Sequence, residues 1–261
     1  MSKLFSIACL LFSLSGNTYA ETTQQDIEAT IKKQAEHLLQ DHRFTSVSIG
    51  VVSGKKSITG HHGELVKKQG NRPTDQTIYE IGSVSKTMVG LLAANAIMEG
   101  KLSLDKNVND YIDNQLDKVS ASSHPITIRE LLTHTSGLPK DFEQLGLTEE
   151  TVNKQSFIKA MNKFDTSTVK GQYHYSSAGT ELLSYILTQV YHKPFDTLLK
   201  QTFKETAGML NTQVNLSKAQ MPFFAYGYDG KNQVSKAHVA PSKVLGGRVF
   251  AKSTMADLIY S

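Results

Sequence analysis

Between Thr87 and Glu99 the chain runs through Met88, Val89, Leu91, Leu92, Ala93, Ala94, Ala96, Ile97 and Met98 with little polar interruption. A helix that is apolar nearly all round has no face to give to water, so this one is expected in the middle of a domain. What precedes it narrows the fold further. Ile78 to Ile81 reads as a short strand, Gly82 as a turn, and Gly100 as the residue just past the helix end, where a left-handed conformation is common. Such a strand, turn and buried helix set Ser83 on the first helical turn with Lys86 on the same face. A hydroxyl, an ammonium and the positive end of a helix are then gathered in one place.

The surrounding pattern is mixed. Asp26 to Gln40 carries Ile27, Ile31, Ala35, Leu38 and Leu39 on one helical face. Val47, Ile49 and Val51 alternate with Ser46, Ser48 and Gly50 as in a half-buried strand, and Gly54-Lys55-Lys56 signals a hairpin into a less regular return strand over Ser57 to Lys68. Further on, Thr127-Ile128-Arg129-Glu130 is a capping box that opens a short helix. Thr148 is expected to cap a helix to about Phe164, and Leu182, Leu183, Ile186, Leu187 and Val190 form the stripe of another. Pro194 is placed at the first position of a helix reaching about Phe203. The expected class is α+β: an antiparallel sheet flanked by helices, with an all-helical lobe. Thr254-Met255-Ala256-Asp257 is a second capping box, and the helix it opens has no room to continue. The expectation is therefore one domain over 21–261 that is truncated and lacks C-terminal strands, leaving a sheet with an uncovered edge and an exposed apolar face.

Residues 1–20 read as a signal peptide, with Lys3 as the charged region, Leu4 to Leu14 as the apolar core and Thr18-Tyr19-Ala20 as the cleavage site. The protein is accordingly expected to be periplasmic or secreted. Cys9, the only cysteine, falls inside that segment, after an apolar stretch too short to suit lipid attachment. No later tract is long and apolar enough to span a membrane. A net charge of +4, with no basic run or aromatic–basic stripe, gives nucleic-acid binding little support. The histidines lack zinc-ligand spacing, so neither a metal nor any other cofactor is expected.

Ser-x-x-Lys by itself says little, since it starts at Ser53, Ser83, Ser103, Ser156 and Ser167. Only the Ser83 copy lies between a strand, a glycine turn and an apolar helix. A serine hydroxyl is a poor nucleophile until a neighbour takes its proton, and a lysine in a dry cavity or a nearby phenol can do so. Tyr175-Ser176-Ser177, after a polar loop and before an apolar helix, is placed to bring such a phenol from an adjacent element.

These residues resemble the class C β-lactamases and their relatives, the D-Ala-D-Ala peptidases and esterases among the penicillin-recognising serine hydrolases. Tyr79-Glu80-Ile81-Gly82-Ser83-Val84-Ser85-Lys86 looks like that family's first motif over its whole length. Ile128 to Pro139 is similar to a segment lining the cleft, and Tyr175-Ser176-Ser177 resembles Tyr-x-Asn with serine where asparagine is usual. Pro194-Phe195, Gly208 to Thr212, Gly246-Gly247 and Ser253 to Leu258 fit the same pattern. The resemblance implies an acyl-enzyme on Ser83, proton transfer shared by Lys86 and Tyr175, and a substrate contact at Ser177. It implies a β-lactam, a peptidoglycan-derived amide or a small ester as substrate; the alternative is a non-catalytic penicillin-binding or regulatory relative. The family's third motif, Lys-Thr-Gly or His-x-Gly on an edge strand, is missing from its expected place. His61-His62-Gly63 matches only in letters, because it precedes the nucleophile. Half an oxyanion hole is therefore expected, and one lost donor costs about a hundred- to a thousand-fold in rate.

Overall fold

A computed structural model describes residues 23–113, 115–116, 125–148, 151–164, 169–228 and 251–260. The expected signal segment and Gly246-Gly247 lie outside the described residues. The Thr23 hydroxyl accepts the Asp26 N–H while the Asp26 carboxylate receives the Thr23 N–H. This capping box starts α1 (Gln24–Leu39) ahead of its first apolar residue, and Ile31 and Ala35 are what the helix buries.

The hairpin forms as the sequence predicts, except that its return strand ends at Gly63 rather than Lys68. β1 (Ser46–Ser53) pairs antiparallel with β2 (Lys56–Gly63), and Ser53 opposite Lys56 leaves Gly54 and Lys55 as the loop. Gly54 takes φ 60°, the positive value that primed two-residue hairpin turns require at their first position. Ile49 faces Gly60 and Gly50 faces Thr59, so the two glycines lie on opposite faces of the ladder. Each glycine admits a helix. A Cβ at Gly60 would fall 2.4 Å from Ile31 Cγ2 of α1, and one at Gly50 would fall 2.6 Å from Ile259 Cγ2 of α7 (Met255–Tyr260). The hairpin therefore carries a helix on each side. The outer edge of β1 has no partner strand among the described residues.

Instead of one sheet, the described strands form two separate ladders. In the second, β3 (Ile78–Glu80) pairs antiparallel with β4 (Lys252–Thr254), setting Glu80 opposite the buried Lys252. Burial pushes the Lys252 ammonium down, and the charge of Glu80 only partly opposes it. A chain of side chains ties the first ladder to β3. Ser48 Oγ lies 2.8 Å from His61 Nδ1, His61 Nε2 lies 2.8 Å from Asp75 Oδ1, and the Ser48 hydroxyl donates to the Tyr79 oxygen at 2.9 Å.

After β3 a 3-10 turn (Gly82–Val84) leads into α2 (Ser85–Met98). This helix packs on the lobe formed by α3 (Ile128–Leu132), α4 (Lys154–Met161), α5 (Ser177–Tyr191) and α6 (Phe195–Thr206), with its direct contacts to α5 and α6. Met88, Val89, Leu92, Ala93 and Ala96 enter the core. α2 is not interior all round, however: Met98 is 86% exposed, and Ala94 on the same side is exposed too. Gly100, at φ 70°, ends the helix as its position predicts. The Thr127 capping box makes both of its bonds.

Two helix starts in the lobe differ from expectation. Thr148 closes a turn with Thr151, while α4 begins at Lys154 under an Asn153 cap that pairs with Ser156. Pro194 is the cap residue of α6 rather than its first helical position. Among the described residues no helix is long and apolar enough to cross a membrane.

Candidate active site

Ser83 is carried by a turn that is held from behind. The Ile81 N–H donates to the Ala251 carbonyl at 3.0 Å, and the Ala251 N–H donates to the buried Ser85 Oγ at 2.8 Å. One residue next to β4 therefore braces both ends of the turn. Gly82 takes φ 51° at its start, which a residue with a Cβ adopts only under strain. The turn, not the first turn of α2, holds Ser83, so the helix begins two residues later than the sequence suggests. Ser83 is exposed, and its N–H belongs to the opening of the turn, where helical bonding supplies no partner.

The residues expected at the site come together. The Tyr175 hydroxyl donates to Ser83 Oγ at 2.8 Å, and Lys86 Nζ donates to the same oxygen at 3.3 Å. Lys86 Nζ also stands 5.2 Å from the centre of the Tyr175 ring. Lys86 is partly buried beside its partners rather than extended into solvent, and Ser83 caps no helix. Burial raises the Tyr175 phenol, but hydrogen bonds with Ser83 and Lys86, the Lys86 charge and a bond to Ser177 outweigh it, so the phenol lies below its ordinary value. Ser177 is thus beside Tyr175, and its N–H is spent on the Lys140 carbonyl at 2.9 Å.

Tyr175 reaches Ser83 because two loops are laced together. The Gly171 N–H donates to the Thr135 carbonyl, His174 N–H to the His134 carbonyl and Ser177 N–H to the Lys140 carbonyl. Ser176 caps α5 by accepting the Gly179 N–H, and its hydroxyl donates to the Pro139 carbonyl at 2.7 Å. The imidazole of His134 accepts the Ser176 N–H at Nδ1, 3.2 Å away, and its ring lies 4.7 Å from the Tyr175 ring. Burial first, then the Lys86 charge, pushes His134 below its ordinary value. His134, Ser85 and Ala251 escaped the sequence reading. His134 left one visible trace, a histidine just past a capped helix where glycine is the usual residue. Ala251 left none.

The family model described as Beta-lactamase matches residues 31–259. The chain belongs to the β-lactamase family. A β-lactamase from Providencia stuartii is 30% identical over 260 residues, covering 98% of this chain and 63% of the relative. One from Pseudomonas fluorescens is 27% identical, covering 90% of this chain and 63% of the relative. The chain thus spans somewhat less than two thirds of these curated relatives. Among solved structures, a class C β-lactamase in complex with cefoxitin superposes with a TM-score of 0.77 at 27% identity, covering 90% of this chain and 65% of that one. The β-lactamase from Sulfitobacter sp. EE-36 shares the fold with a TM-score of 0.80 at 24% identity, covering 92% of this chain and 64% of that one. This β-lactamase-family chain has its first two motifs in contact through three side chains.

Proposed function

We propose that the protein is an exported serine hydrolase of β-lactamase type that works through an acyl-enzyme on Ser83. The observation that carries this reading is the convergence of the Tyr175 hydroxyl and Lys86 Nζ on one serine oxygen. Ser83 Oγ attacks the carbonyl carbon of a β-lactam, a peptidoglycan-type amide or a small ester, and its proton passes to Tyr175 or Lys86. The lowered phenol helps, because a base nearer to neutrality is more often ready to accept. The carbonyl oxygen gains charge beside the Ser83 N–H, at the opening of a helical turn where negative charge is favoured. When the C–N or C–O bond breaks, the leaving atom takes the proton back. Water then attacks the acyl carbon and gives a proton to the same phenol–amine pair, which passes it to Ser83 Oγ as the acid leaves. In this reading Ser177, beside Tyr175, takes the substrate contact; its hydroxyl offers one donor where an asparagine side chain would offer two. Export is supported by the charged, apolar and small-residue pattern of residues 1–20. The test is labelling with a fluorescent penicillin and a fluorophosphonate beside Ser83→Ala. A Ser83-dependent adduct is expected; no such adduct with either probe would sink the reading, and an adduct with the fluorophosphonate alone would narrow it to an esterase.

A further inference from the structure

We propose that His134 is a positioning residue that grips the main chain on both sides of Tyr175 and so sets the phenol against Ser83. The inference rests on the function proposed above but has a readout of its own. α3 ends at Leu132 with Thr133 as its cap, and the Thr135 N–H returns to the Glu130 carbonyl at 3.0 Å. That bond spans the end of the helix as in a Schellman motif, which puts His134 at the left-handed position just outside it. Its φ is 57°. Glycine takes this conformation freely, whereas a histidine takes it at a cost, and strain of this kind collects where a side chain is needed.

The need is visible in the contacts. The His134 carbonyl accepts the N–H of His174, and its Nδ1 accepts the N–H of Ser176. The residues before and after Tyr175 are thus both bonded to His134, whose ring also walls the phenol. An imidazole that accepts at Nδ1 holds its proton at Nε2, so the grip needs the neutral ring. Glycine at 134 would keep the turn and the carbonyl bond but lose the acceptor and the wall. Asparagine tolerates the left-handed conformation and carries an oxygen acceptor on a side chain of similar reach. His192, at φ 51° at the end of α5, is the internal control: it is exposed and shares the backbone strain.

Stability and reactivity should therefore move apart. His134→Gly is expected to melt no lower than the parent chain while its fluorophosphonate labelling rate falls by about a hundred-fold, the scale of an ångström-sized misplacement. His134→Asn should recover most of that rate, and His192→Gly should leave it unchanged. The phenol titration of Tyr175, isolated by ultraviolet difference against Tyr175→Phe, should move upward in His134→Gly as the ring leaves Ser83 and Lys86. That titration needs no reaction, so it tests the grip even if Ser83 proves unreactive. An unchanged Tyr175 titration in His134→Gly overturns the proposal, as does a rate loss matched by an equal loss of melting temperature.

Discussion

Two clusters in this molecule join a serine to groups that can take its proton, and they are built differently. In one, Ser48, His61 and Asp75 are linked by two contacts of 2.8 Å, the residue types of a hydrolytic triad. In the other, Ser83 receives Tyr175 and Lys86. Ser48 lies within a paired strand, half-buried, and gives its hydroxyl to Tyr79. Ser83 stands exposed on a braced turn, with a backbone N–H at the opening of helical structure. On the proposed function, the difference teaches that a proton acceptor beside a serine is the smaller part of a nucleophile. A backbone donor for the developing oxyanion and an approach from solvent decide which serine can react.

The sharpest way to break the comparison is labelling. Ser83→Ala should abolish adduct formation with the fluorophosphonate while Ser48→Ala retains it; peptide mapping that finds the adduct on Ser48 would reverse the assignment. Next in size, Tyr175→Phe keeps the ring against His134 but removes the phenol, and should slow acylation by about a hundred- to ten-thousand-fold. Ser85→Ala strips the acceptor from the buried Ala251 N–H. It should cost about 1–3 kcal/mol in urea unfolding, with a slower labelling rate alongside. Ser48→Ala should cost only about 0.5–1.5 kcal/mol and leave the labelling rate alone, since that cluster ties strands together.

The smallest effect is pH dependence, and it separates the clusters by window. His134 is pushed below its ordinary 6.5, so below that pH the unfolded chain binds a proton that the folded one resists, and stability falls as pH drops. Asp75 is held below its ordinary 3.8, chiefly by its bond to His61, so its contribution is present above 3.8 and is lost as pH falls through the folded value. Thermal melts from pH 7 downward should show the first decline flattened in His134→Asn and the second in Asp75→Asn.

Much of the helical lobe was legible, because a capping box and an apolar stripe are local signals. Thr127 and Glu130 behave as their letters say, and Gly100 ends α2. The start of α4 was misread because its box closes with Ser156, where the expected partner is Glu or Gln. The meeting of Ser83, Lys86 and Tyr175 could be expected from motif context and resemblance. The division of the strands into two ladders could not, since β3 and β4 have three residues each and pair across most of the chain. Nor could His134 be read, because its role needs a backbone conformation together with two N–H partners some forty residues away, and no local pattern encodes that.

The brace at Ala251 carries a consequence for biosynthesis. Ser85 is translated 166 residues before the amide that locks it. At elongation speeds of about 5–20 residues per second, the turn that carries Ser83 leaves the ribosome roughly ten to thirty seconds ahead of its latch. A nascent chain would carry Ser83 on an unbraced turn for all that time, and the turn would be held only once Ala251 reaches Ser85.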